Sequence, residues 1–176
     1  MAIWAEIDWS QTIGGNDKFG DCAFVSLANL TDILKTPQVV MDAEIERFYA
    51  LETGWTPLDP LTDKGAILEA VIKDWCINGW PTDPVWKPTG YETFAPANIA
   101  AALDKYVACP CILMLPENED FTDASLGLPG TMGHAVLVVQ ASDTEVRFIT
   151  WGRIVVVSMA WWRKFARTVY GVQLST

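Results

Sequence analysis

Apolar residues recur at three- and four-residue intervals through the first part of the chain and gather into short unbroken runs through the last part. Cys22–Leu34 carries Ala, Val, Leu and Ile at helical spacing and stops before Thr36-Pro37, where proline disfavours continuation. Asp42–Thr53 predicts a second helix, with Ile45, Phe48, Tyr49 and Glu52 spaced around it and Gly54 as its stop. Lys64–Asn78 predicts a third, capped by Asp63 and ended by Gly79. Trp80–Phe94 is rich in Pro, Thr and Gly and reads as a long loop. Pro96–Val107 predicts a fourth helix with proline in its first turn. Beyond Cys109 the period changes. Cys111–Leu115, Ala135–Ala141, Glu145–Thr150 and Ile154–Ser158 are apolar runs of strand length, and Thr168–Leu174 is a closing strand after a short helix at Met159–Phe165. The acidic, then Gly/Pro-bearing stretch Glu117–Thr131 reads as a surface loop. Helices followed by an antiparallel sheet make an α+β domain over residues 1–176, its helical part at about 16–108 and its sheet part at about 109–176.

Composition narrows what such a domain does. The chain has 176 residues, 51% of them apolar and 19% charged, enough for one substantial core. Nine tryptophans are many for this length, and each pairs bulk with an N–H donor suited to a core or a groove. A formal net charge of −10 repels phosphate backbones and anionic lipid, so neither nucleic acid nor a membrane surface is an expected partner. No apolar run reaches membrane-spanning length, and the start MAIWAEIDWS lacks a basic flank and a signal core. A cytoplasmic location is expected, or packaging in a virion assembled there. Cys22, Cys76, Cys109 and Cys111 show no framework spacing and read as free thiols. No metal or cofactor is expected. Cys109-Pro110-Cys111 with His134 lacks a fourth ligand, and the acidic stretches Glu117–Asp123 and Asp42–Glu52 lack the spacing of a calcium loop.

Two residues carry candidate chemistry. Cys22 follows Gly20-Asp21 and opens a helix, where unpaired N–H groups and the positive end of the helix dipole favour a thiolate. Asp21 opposes this unless its carboxylate turns away. His134 is the one histidine in the chain, so any imidazole base is this one. It follows the flexible Pro129–Gly133 and begins a strand, which places it at the rim of a sheet. If His134–Ala141 and Thr144–Trp151 form a hairpin turning at Ser142-Asp143, with Ala141 facing Thr144, then His134 faces Trp151 to within about one residue of register. Thr150, Trp151 and Gly152 then lie beside the ring, and Thr150 offers a hydroxyl to orient it.

These residues resemble the papain-like cysteine peptidase superfamily. GGNDKFGDCAFVSLANL resembles the segment in which an oxyanion-hole Gln stands six positions before a helix-start Cys; here Asn16 stands six before Cys22. GHAVLVVQ resembles the family's Gly-His strand, and FITWGR its Asn-Ser-Trp-Gly block. More narrowly, the NDxxGDC, GHA and TWG words are similar to those of small bacterial and phage proteins. The resemblance implies a papain-like fold with Cys22 as nucleophile, His134 as base, and Asn16 with the Cys22 N–H as oxyanion hole. One departure stands out: Ile149 occupies the place of the family's orienting Asn, and Thr150 is the nearest substitute.

Two functions of different class follow from the resemblance. One is a thiol hydrolase acting on a peptide or isopeptide bond. The other is an inactive papain-like scaffold that binds a peptide or protein partner, for which the missing orienter and the acidic surface speak. A cell-wall amidase ranks behind both, because the Cys-to-His gap is long and the charge is unsuited to anionic wall polymers.

Overall fold

The computed structural model describes residues 3–11, 18–35, 40–80 and 86–174. Among these, five α-helices and one six-stranded antiparallel sheet make an α+β fold. The helices are α1 (Cys22–Leu34), α2 (Asp42–Thr53), α3 (Leu68–Asn78), α4 (Ile99–Lys105) and α5 (Met159–Phe165). The strands are β1 (Pro88–Phe94), β2 (Cys109–Leu115), β3 (Met132–Ala141), β4 (Glu145–Thr150), β5 (Arg153–Ser158) and β6 (Ala166–Leu174), in the sheet order β1-β6-β2-β3-β4-β5. No helix among the described residues is long and apolar enough to cross a membrane.

The sheet separates two cores. Ala135, Leu137 and Val139 of β3 face the first, with α1, α2 and α3; Val136 and Val138 face the second, with α4 and α5. An antiparallel strand covered on both faces must be apolar at consecutive positions, which is why this segment reads as a valine run rather than an alternation. Helix α1 is likewise buried all round, from Ala23 to Ile33, with only its first and last residues reaching the surface. Burial along its whole length fixes the helix axis, and with it the position of the Cys22 thiol at its head.

Three segments depart from expectation. Trp80–Phe94 is not a loop throughout: β1 begins at Pro88 and pairs with β6 from Pro88↔Leu174 to Phe94↔Val169, with an irregularity before Gly90. Proline and glycine are tolerated here because β1 is an edge strand and opens on the proline. Residues 81–85 of that stretch lie outside the described residues. The third helix starts at Leu68, not Lys64, and its N-cap is Ile67 rather than Asp63. Gly65 has φ +65°, a left-handed conformation that a helix cannot contain, so Lys64–Ile67 forms a separate non-helical wall. The fourth predicted helix is also shorter: Pro96–Asn98 is a 3-10 turn leading into α4.

Candidate active site

Helix α1 begins where the N–H groups of Phe24 and Val25 donate to the Asp21 carbonyl, at 2.8 and 3.1 Å. Cys22 is thereby held in the first turn, half-buried, with its thiol turned toward the sheet. The Ala135 N–H donates to Cys22 Sγ at 3.4 Å. A central strand would normally give that N–H to its neighbour. However, β4 pairs with β3 only from Leu137↔Ile149 onward, so Ala135 lies beyond the end of the ladder and the thiol takes the place of the missing strand. The residue before Ala135 is His134.

His134 shares a sheet face with Val136 and Val138 and is 7% exposed. Its Nε2 lies 2.6 Å from Thr150 Oγ1, and Thr150 is itself buried. Trp151 stacks on the imidazole, with ring centroids 4.9 Å apart and planes 29° from parallel. The tryptophan reaches that position through its backbone. Trp151 and Gly152 have φ of +47° and +66° and form the two-residue turn between Thr150 and Arg153, which pair across β4 and β5. Two successive left-handed residues match the twist of a hairpin, and tryptophan in the first place costs about 1–2 kcal/mol of backbone strain.

Near the turn the β3–β4 register differs from the expected hairpin, since Ala141 pairs with Val146 and not Thr144, but it reaches His134 within the expected one-residue margin. The pairs Gln140↔Arg147 and Ala141↔Val146 give way, across a bulge, to Val138↔Phe148 and Leu137↔Ile149. Continued toward the turn, that register sets His134 opposite Gly152, one residue from Trp151. Thr150 is then a diagonal neighbour on the same face, within reach of a ring nitrogen.

Cys22 and His134 line the same two adjoining concavities. One, of about 410 Å³, is walled by Lys64–Leu68, Ile112 and Ala135; the other, of about 480 Å³, by Lys18, Phe19, Glu119, Met132 and Trp151. Gly20 and Gly133 border both. In this conformation the thiol is engaged by Ala135 and the ring by Thr150, and no hydrogen bond joins the two side chains.

The electrostatics favour neutral groups. Burial raises the Cys22 pKa above the usual thiol value; the N–H of Ala135 pulls it down, the neighbouring Asp21 carboxylate pushes it up again, and the N–H groups of Ala23 and Cys22 pull down. The helix-start thiolate expected from the dipole argument is therefore not the resting form. Desolvation outweighs the dipole here, and Asp21, fully buried beside the thiol and making no cap hydrogen bond, adds to it. Burial lowers the His134 pKa to about 4. At neutral pH the site holds a thiol and an uncharged imidazole.

Asn16 lies outside the described residues. The Cys22 backbone N–H, at the head of α1, remains as a donor for a developing oxyanion. Cys109 and Cys111 are buried on β2, opposite Val138 and Val136, while Leu113 stands opposite His134. Among the described residues no three His, Cys, Asp or Glu side chains gather closely enough to hold a metal ion. Sequence reasoning missed the wall at Lys64–Leu68. Its signal was present: a glycine three residues before Leu68 is a poor helix interior but a natural turn. No family model, curated protein or solved structure matches this chain.

Proposed function

We propose that this cleft belongs to a papain-like thiol hydrolase that cleaves a peptide or isopeptide bond. The observation that carries the reading is the Ala135 N–H contact: it seats the helix-start thiol on the strand residue next to His134, at the edge of a shared open cleft. Cys22 is the nucleophile, His134 the base and acid, and Thr150 the group that orients the ring. In the tautomer whose Nε2–H donates to the Thr150 hydroxyl, Nδ1 is left free to accept the thiol proton. As Sγ attacks the substrate carbonyl, its proton passes to Nδ1, and the oxyanion is held by the Cys22 N–H. Collapse breaks the C–N bond, and the imidazolium gives its proton to the departing amine. Water, deprotonated by the same nitrogen, then attacks the thioester, releases the acid and restores the thiol.

Because both groups rest uncharged, proton transfer accompanies attack rather than preceding it. Leu68, Ile112, Ala66 and Ala135 make one side of the cleft apolar, which suits an apolar substrate side chain next to the scissile bond. Four free thiols suit a reducing compartment, which supports the reading of a cytoplasmic protein or one packaged in a virion assembled there.

A second reading is a papain-like scaffold that binds a partner without catalysis. The absence of a thiol–imidazole hydrogen bond and the pKa of about 4 at His134 favour it, since a ring so weakly basic is a poor proton acceptor. Labelling separates the two. For the hydrolase, iodoacetamide or the epoxide E-64 labels Cys22 ahead of the other cysteines, and His134→Ala slows that labelling at least roughly tenfold. Labelling of Cys22 no faster than that of the half-buried Cys76, and indifferent to His134→Ala, leaves the scaffold.

A further inference from the structure

A chain of hydrogen bonds ties the turn before Cys22 to the cleft wall. The Gly20 N–H donates to both carboxylate oxygens of Asp63, at 3.0 and 3.2 Å. The Tyr49 hydroxyl donates to Asp63 Oδ1 at 2.5 Å and accepts from the Gly65 N–H at 3.1 Å. Three segments far apart in sequence thus close on one carboxylate: the turn leading into α1, the core-facing side of α2, and the wall that precedes α3. Tyr49 is fully buried, and burial with the Asp63 carboxylate beside it raises its pKa further above the ordinary tyrosine value. It therefore stays protonated and keeps donating. The backbones meet closely as well: a Cβ on Gly20 would stand 2.8 Å from the Gly65 Cα, so only glycine fits the contact. Phe19 adds a ring contact to Trp55 at 4.5 Å, and Trp55 lies 5.4 Å from Tyr49.

We infer that Asp63 and Tyr49 form a latch that sets the width of the cleft, holding the Lys64–Leu68 wall against the Gly20 turn and so fixing the reach of Cys22. This rests on the reading of the cleft as a thiol site. Asp63 is a positioning residue: it touches neither the thiol nor a reacting atom, and acts through Gly20, two residues before Cys22. Without the latch, Lys64–Ala66 has no helical hydrogen bonds of its own to hold it, since α3 anchors the wall only at the Ile67 carbonyl, which accepts from the N–H groups of Ala70 and Val71. The wall swings outward and the thiol becomes more accessible.

The test is the rate of Cys22 alkylation by iodoacetamide, read by mass spectrometry against Cys76, a half-buried thiol outside the cleft, as internal reference. Asp63→Ala raises the Cys22-to-Cys76 rate ratio about tenfold. Asp63→Asn keeps it within about twofold of the native value, because one amide oxygen can accept from both Gly20 and Tyr49 as Oδ1 does. Tyr49→Phe leaves the Gly65 N–H without its acceptor and moves the ratio as alanine does. An unchanged ratio in Asp63→Ala overturns the latch, as does an Asp63→Asn shift as large as alanine's. Parallel labelling of the buried Cys109 and Cys111 overturns it too, since the variant is then loosening the whole fold. Alkylation needs no turnover, so the two readings fail separately. A ratio that responds to Asp63→Ala but not to His134→Ala sinks the hydrolase and leaves the latch.

Discussion

His134 carries most of what the site can do, and its surroundings set how well. The ring is buried and covered by Trp151, so the charged form is disfavoured and the pKa falls to about 4. Thr150 supplies a hydroxyl to Nε2 at 2.6 Å and substitutes in position, though not in charge, for an amide or carboxylate orienter. The Thr150→Val substitution keeps the shape and removes that contact. It is expected to reduce the His134-dependent part of Cys22 labelling by about tenfold while leaving Cys76 labelling unchanged. Equal labelling in the valine variant would show that the hydroxyl orients nothing. Asp21 acts on the other partner. Asp21→Asn removes the charge that raises the thiol pKa, so half-maximal alkylation of Cys22 moves to lower pH; a midpoint that stays or rises contradicts the assignment.

At the level of elements, the turn between β4 and β5 determines how the site is covered. Trp151→Gly removes the left-handed strain at that position but also strips the cover from the imidazole. The variant should return the His134 pKa from about 4 toward 6.5, readable by proton NMR because the chain holds a single histidine. An unmoved titration would mean that the rest of the pocket, not the indole, dehydrates the ring. Much of this framework was legible in the chain. The spans Cys22–Leu34, Asp42–Thr53, Glu145–Thr150 and Met159–Phe165 are plain in the pattern, because long apolar periodicity and β-branched runs report burial directly. What escaped was local chemistry that only tertiary partners decide. Pro88–Gly90 looks like loop and becomes an edge strand because β6 offers it a partner. Asp63 looks like a helix cap and instead accepts from Gly20, 43 residues away in the chain. The β3–β4 turn falls at Asp143-Thr144, so Ala141 pairs with Val146 rather than Thr144, and a bulge between Val138 and Gln140 takes back one residue of that offset; no periodicity records either. The closeness of Cys22 to Ala135 depends on where β4 stops, and strand ends are poorly marked in sequence.

For the whole molecule, two buried titratable groups pull stability in opposite directions with pH. The folded pKa of His134 is depressed from 6.5 to about 4, so its contribution is complete above 6.5 and is lost as pH falls toward 4; the shift corresponds to roughly 3 kcal/mol. Asp32 in α1 is raised from 3.8 to about 7, first by burial and then by the Glu44 charge, against the pull of the Val40 N–H bond at 2.6 Å. Its contribution is complete below 3.8 and is lost as pH rises to 7, corresponding to roughly 4 kcal/mol. Between pH 4 and 6.5 the two nearly cancel. Denaturant titrations at several pH values separate them. Relative to the native chain, His134→Gln should lose roughly 3 kcal/mol between pH 4 and 6.5, and Asp32→Asn should gain roughly 4 kcal/mol between pH 4 and 7. Parallel profiles for the variants and the native chain would show that neither group is buried in the state assigned to it. The central claim, that one cleft joins the thiol of α1 to the imidazole of β3, is tested most directly by capping Cys22 with methyl methanethiosulfonate in a Cys76→Ser background and following the His134 ring protons by NMR. The account predicts that capping shifts those signals and moves the ring's titration midpoint by about half a unit or more. Ring signals and a midpoint indifferent to the state of Cys22 would contradict it.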